Sequence, residues 1–500
     1  MSILRKLAGQ TAIYGLSSIV GRLLNYLLVP LYTRVFDTGE YGVVTQLFAL
    51  AAFFNIVFTY GLETAYFRFF QTEKGDKKVY STALISIIAS SITLGLLIVA
   101  FSGPLSDLLR ADGNTDQNLA LYISLFAGVL AFDAIVAIPF AKLRQENKAT
   151  RFAFLRLVNI AVNIILNLFF LILCPKILQS GEGGAWILQL YDPSFGIGYI
   201  FVSIFVASLI TVLMLLPEII KGGIIFDSLL WKRMLVYAFP LTIAGFAGMI
   251  NETFDRILLP MLIEDKSIAM SQLGIYGACY KLSILMTLFI QTFRYAAEPF
   301  FFNQSDKEQS REVYATVMHW FVIVCSFIFL CVMMYIDIVK LLIGKEFREG
   351  LAVVPILLLA NLCLGVFFNL SIWYKLTGKT SWGAWLAIFG AAITLIFNYL
   401  LIPVMGYMGA AWATLICYAS MMIASYFGNQ KYFPVPYRLK PLFAYVFLAI
   451  LLFFLSEWIR ASLNVEMFTI LLINTLLTAI FIGAVLYFER RKIPYLRKGK

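Results

Sequence analysis

Two apolar stretches near the middle of the chain carry six ionisable side chains. LVYAFPLTIAGFAGMINETFDRILLP, residues 235–260, holds Glu252, Asp255 and Arg256. LGIYGACYKLSILMTLFIQTFRYAAEPFF, residues 273–301, holds Lys281, Arg294 and Glu298. Each stretch is long enough to cross a bilayer, for which about 20 apolar residues suffice. A charge near the bilayer centre costs roughly 2.5–3.5 kcal/mol on the lenient insertion scale. Half a dozen of them therefore have to face a protein interior or a wet cavity. Glu252 with Arg256, and Arg294 with Glu298, stand four residues apart and can meet on one helix face. A charged, water-lined interior is what a transport path across a membrane requires.

The first apolar run repeats the pattern. Thr11, Gly15, Ser18, Arg22 and Asn25 fall on one helical stripe. Small residues suit a tight helix seam, but a guanidinium does not fit one, so Arg22 is expected to face a cavity. Arg22, Arg256 and Arg294 together could hold an anion, with Asn25 beside them. A diphosphate fits best, since the forked guanidinium matches phosphate oxygens two at a time. Structural ion pairing, Arg256 with Glu252 or Asp255 and Arg294 with Glu298, is the competing reading. Arg156, Asn159, Asn163 and Asn167 form a ladder that could touch sugar hydroxyls or bond between helices. Asp133 could carry a coupling proton or sodium ion, or pair with Arg22 or Arg156. Glu63 and Glu298 are further gating or pairing candidates. His319, the one histidine, reads as an interfacial bystander. No metal-ligand set, phosphate-cradling loop or nucleophile elbow is present, so neither a cofactor nor enzymatic chemistry is expected.

The elements that must position these groups follow from composition. Of the 500 residues 61% are hydrophobic and 13% charged, and the mean hydropathy is +0.86. Such a chain is an all-α integral membrane protein. Its net charge of +11 points to anionic lipid headgroups and gives no sign of nucleic acid. About fourteen spans are expected, from 11–33 to 467–488. With the N-terminus in the cytoplasm, 25 of the 39 Lys and Arg residues fall in cytoplasmic segments, eight in outer loops and six in spans. That bias places both termini in the cytoplasm. The six cysteines sit in or beside apolar runs and read as reduced. Outer loops are short, which argues against a membrane glycosyltransferase or polymerase.

The halves repeat weakly. Tyr41-Gly42 opens the second span and Tyr276-Gly277 the eighth; Glu63 and Glu298 each lie 21 residues beyond the glycine. The expected architecture is two six-helix lobes in a parallel, pseudo-twofold repeat plus two C-terminal helices. The lobes would be residues 1–216 and 217–440, with 441–500 holding the appended spans and a basic tail. Parallel repeats place a substrate site at their interface.

LLVPLYTRVFDTGEYGVV and GLETAYFRFF, the two central stretches above, and the late NYLLIPVMGYMGAAWATLICYA carry a resemblance. Over roughly residues 8–430 the chain resembles bacterial polysaccharide repeat-unit flippases of the multidrug/oligosaccharidyl-lipid/polysaccharide exporter superfamily. The resemblance implies a two-lobed, alternating-access transporter in the bacterial inner membrane. Its cargo would be a polyprenyl-diphosphate-linked oligosaccharide of O-antigen, capsule or exopolysaccharide, and a polymerase or synthesis complex would be a partner. The family's cationic cavity would correspond to Arg22, Arg256 and Arg294, with Arg34 and Arg68 near it. The last two spans would form a groove for the lipid tail. The alternatives are a lipid II-type flippase and a drug/cation antiporter of the same superfamily. Asp133, Glu252 and Asp255 could serve the latter, but three deep arginines argue against it.

Overall fold

The structure, a computed structural model, describes residues 20–490 apart from 22, 25, 74–75, 112, 115, 181–184, 305–309 and 464–465. All regular structure among these residues is helical. The principal helices of the first part are α1 (Thr38–Thr59), α2 (Leu62–Thr72), α3 (Lys77–Ala100), α4 (Leu119–Gln145), α5 (Ala149–Leu168), α6 (Gly198–Ile220) and α7 (Ser228–Leu262). Those of the second are α8 (Lys266–Leu282), α9 (Ile284–Gln304), α10 (Ser310–Met334), α11 (Val353–Leu370), α12 (Ser381–Met405), α13 (Tyr407–Tyr432), α14 (Leu439–Leu463) and α15 (Met467–Glu489).

Among the described residues, 12 helices are long and apolar enough to cross a membrane, or 13 if the pair bent by 53° at Ser283 is one span. The protein is thus a multi-pass membrane protein. About half of the expected first span, 11–33, lies outside the described residues, so fourteen is not reached among those described.

Polar side chains set where helices begin and break. Asp37 and Glu40 form a reciprocal capping box at the start of α1, Asp37 Oδ1 accepting from the Glu40 N–H at 2.8 Å. Asp227 Oδ1 accepts from the N–H groups of Leu229 and Leu230 at the start of α7. Between α1 and α2, Tyr60 and Gly61 take left-handed conformations, with φ of 31° and 69°. A glycine fits there because only it adopts positive φ without a Cβ clash.

The chain forms two compact units. One holds the chain up to Gly277 with Lys345–Phe347 and Asn398–Ala410. Within it α4 packs against α3, α6 and α1, while α7 lies on α1 and α2. Lipid offers little hydrophobic drive for helix association, so close approach matters most. A Cβ on Gly42 of α1 would overlap the Met270 carbonyl oxygen of α8, and one on Gly274 would overlap that of Thr38. Thr38 and Ser271 share a 2.6 Å hydrogen bond at this crossing. The two Tyr-Gly pairs that mark the repeat thus flank one helix contact.

The other unit holds Ala278–Gly344, Arg348–Phe397 and the chain from Ala411. Here α10 packs against α11, α14 and α15. Buried polar groups tie the last two helices down. Asn474 of α15 donates to the Met334 carbonyl at 2.6 Å and accepts from Ser456 of α14 at 2.5 Å. Arg460 reaches Asp337 at 2.5 Å.

Candidate functional site

In each unit, arginines within spans lie against aromatic faces. In the first unit the guanidinium carbon of Arg68, on α2, lies 4.2 Å from the ring centre of Tyr237 on α7. On α5, Phe152 precedes Arg156 by one turn, and Phe140 reaches across from α4. The two rings meet edge to face at 5.1 Å, and the Arg156 guanidinium carbon stands 4.4 Å from one centre and 5.7 Å from the other. In the second unit Arg294 of α9 sits 3.9 Å from the ring centre of Phe368 on α11.

All three arginines are exposed, and none has a carboxylate within ion-pair distance among the described residues. Stacking is worth about 0.5–2 kcal/mol, depending on desolvation. It also occupies only the face of the guanidinium. The five in-plane N–H donors stay available for an oxyanion.

Arg294 opens onto a small recess lined also by Lys375, Asn369 and Ser371. Asn369 is buried, and its Nδ2 donor has no partner among the described residues. The polar lining is a guanidinium, an ammonium, an amide and a hydroxyl, without a carboxylate. This donor set suits an anion.

The acids occupy different places. Glu63 pairs with Arg144, 81 residues on. Asp133 is exposed and accepts from Ser208 Oγ at 2.8 Å, with Arg156 in electrostatic reach. Asp255 is buried; its carboxylate accepts from Tyr276 Oη at 2.5 Å and from the Arg256 backbone N–H at 2.9 Å. Glu252 is exposed and forms no ion pair among the described residues, so the i,i+4 bridge to Arg256 is not made. Arg22, Asn25 and the Glu298 side chain fall outside the described residues.

The asparagine ladder divides. Asn159 donates to Thr211 at 2.9 Å, and Asn167 accepts from Tyr32 at 2.9 Å while donating to Asn163. Those amides tie helices together and leave Arg156 as the exposed rung. His319 is no bystander: it is buried, and its Nε2 lies 2.8 Å from Glu489, which also accepts from Tyr445 at 3.0 Å. The partner comes from the last helix, 170 residues on, so nothing near His319 in the chain announces it. Arg144 and Lys375 were also missed, because each ends an apolar helix and looks like a topology-setting loop charge.

The described residues thus set cations stacked on aromatic rings within apolar, membrane-length helices. A family model described as "polysaccharide biosynthesis protein" matches residues 7–305, and the chain belongs to that family. No curated protein matches the sequence. Among solved structures, a lipid II flippase MurJ in an inward closed conformation is similar at a TM-score of 0.69 and 15% identity, over 96% of this chain and 99% of that one. An inward-facing multidrug resistance MATE family transporter of the MOP superfamily is similar at a TM-score of 0.63 and 14% identity, over 82% and 94%. The chain therefore shares its fold with these two membrane proteins, one a transporter and the other a flippase.

Proposed function

We propose that the protein moves a polyprenyl-diphosphate-linked oligosaccharide repeat unit from the cytoplasmic to the outer leaflet of the bacterial inner membrane. The carrying observation is that Arg68, Arg156 and Arg294 sit on aromatic faces with their donors free. Dianionic headgroups are costly to desolvate, and such donors offset that cost. Arg22, Arg256 and Asn25 would be further contacts for the headgroup. Membership of a polysaccharide biosynthesis family favours a saccharide headgroup, and a lipid II flippase among the fold neighbours favours a lipid-linked one. The lobes, residues 1–216 and 217–440, would alternate access, with 441–500 taking the lipid tail. Asp133 or Glu63 would couple the cycle to a proton or sodium gradient, and both termini would be cytoplasmic.

Depletion of the protein, followed by lipid mass spectrometry with lectin access to score sidedness, tests the reading. A complete sugar–diphosphate–polyprenyl species should build up on the cytoplasmic side. An unchanged lipid pool with heightened sensitivity to cationic drugs would instead mark a drug antiporter.

A further inference from the structure

The connector between α6 and α7, residues 221–227, displays apolar side chains on a fixed scaffold. Ile224 is 96% exposed and Leu229, just inside α7, is 73% exposed; Phe226 is about half exposed. A loose loop would need no support, yet this one is pinned to α3. Ser81 Oγ donates to the Gly223 carbonyl at 2.9 Å and accepts from the Ile225 N–H at 2.8 Å. Thr82 Oγ1 accepts from the Asp227 N–H at 3.1 Å. Both hydroxyl residues are fully buried. Gly223 turns the chain with φ of 75°, and a Cβ on Gly222 would press on the Tyr80 ring. The shape is built, and what it presents is an isoleucine with none of the described residues over it.

We propose that this connector is a membrane-surface anchor that dips Ile224 and Phe226 into the headgroup–acyl boundary of the adjoining leaflet and takes anionic phospholipid. Depth supports it. The 23 residues of α6 are about enough to cross the hydrocarbon core, so a tip four residues further on lies at headgroup level. Charge supports it too. Lys221 and Lys232 flank the apolar tip, and Lys142 stacks 4.1 Å over the same Tyr80 ring that abuts Gly222. Glu218 is engaged by Arg151 at 2.8 Å, and Asp227 caps α7. Apolar tips with basic flanks bind interfaces through buried area plus attraction to anionic lipid. The proposal does not depend on what the protein carries.

The test uses the full chain in nanodiscs of neutral lipid and of neutral lipid with a quarter phosphatidylglycerol. Ile224→Cys is spin-labelled, with the unsubstituted protein as background for the native cysteines and Lys78→Cys as an aqueous control. The label at 224 should show an oxygen-to-nickel-chelate collision ratio about threefold or more above the control. Lys221→Glu should lower that ratio in the anionic nanodiscs only. A label as open to the nickel chelate as the control overturns the proposal. A label shielded from both reagents also overturns it, since that marks cover by another protein chain.

Discussion

The guanidinium carbon of Arg156 stands 4.4 Å from the ring centre of Phe140, and a second ring from its own helix completes the corner. The side chain is thereby held without a carboxylate. A salt bridge would hold it equally well but would also consume the donors an oxyanion needs. Arg156→Ala and Arg294→Ala should each cut export roughly ten- to a hundredfold, the loss expected for a charge-assisted contact of about 1.5–3 kcal/mol. Quantified surface polysaccharide, set against protein level in the membrane fraction, checks this. Wild-type polysaccharide in both variants would refute the role.

The ring beneath Arg294 permits a finer test. Phe368→Leu keeps the apolar volume but removes the π face, and should lower export by a few-fold, in line with a stacking energy of about 0.5–1 kcal/mol. Phe368→Tyr should retain it. Equal activity in Leu and Tyr variants would mean the ring only fills space.

Gly42→Ala and Gly274→Ala force apart two helix backbones at the α1–α8 crossing. Each should cost about 1–3 kcal/mol, as overpacking does, and lower the Tm of the detergent-purified protein. Gly248, which has open space around its missing Cβ, is the control: Gly248→Ala should leave Tm unchanged or slightly raised.

Tyr276→Phe deprives the buried Asp255 carboxylate of its hydroxyl donor. The expected loss is about 1–3 kcal/mol, the penalty for a buried polar group left short of a partner. Thermal unfolding of Tyr276→Phe, Asp255→Asn and the double variant reads the coupling. Strict additivity would show that the 2.5 Å contact contributes no interaction energy.

Glu63 and Arg144 are both more than a third exposed, so their attraction is screened and worth at most about 1 kcal/mol. Glu63→Gln should therefore leave Tm within a degree or two. If the pair instead serves gating, export should fall in Glu63→Gln and return in the charge-swapped Glu63→Arg/Arg144→Glu double variant.

The spans were legible because apolar runs of bilayer length leave no other solution, and the helix breaks fall near where polar residues interrupt them. Arg294 and Arg156 were legible as costly charges inside such runs. Their aromatic supports were not: Phe368 and Phe140 are ordinary apolar residues in spans full of phenylalanine, and only tertiary packing distinguishes them. The Glu252–Arg256 bridge failed because helical spacing permits a contact without requiring one. Asp255, which stays in electrostatic reach of Arg256, takes its hydroxyl donor from a tyrosine 21 residues along. His319 was misread for the related reason that its partner lies at the far end of the chain.

The α1–α8 crossing is closed by main chain. Side chains at an interface can flatten, swing or exchange rotamers, so an interface made of them yields gradually. Carbonyl oxygens set against bare glycine Cα atoms cannot. The crossing therefore behaves as a mechanical stop: the two helices share one seated distance, and any movement between them starts from the same zero each time.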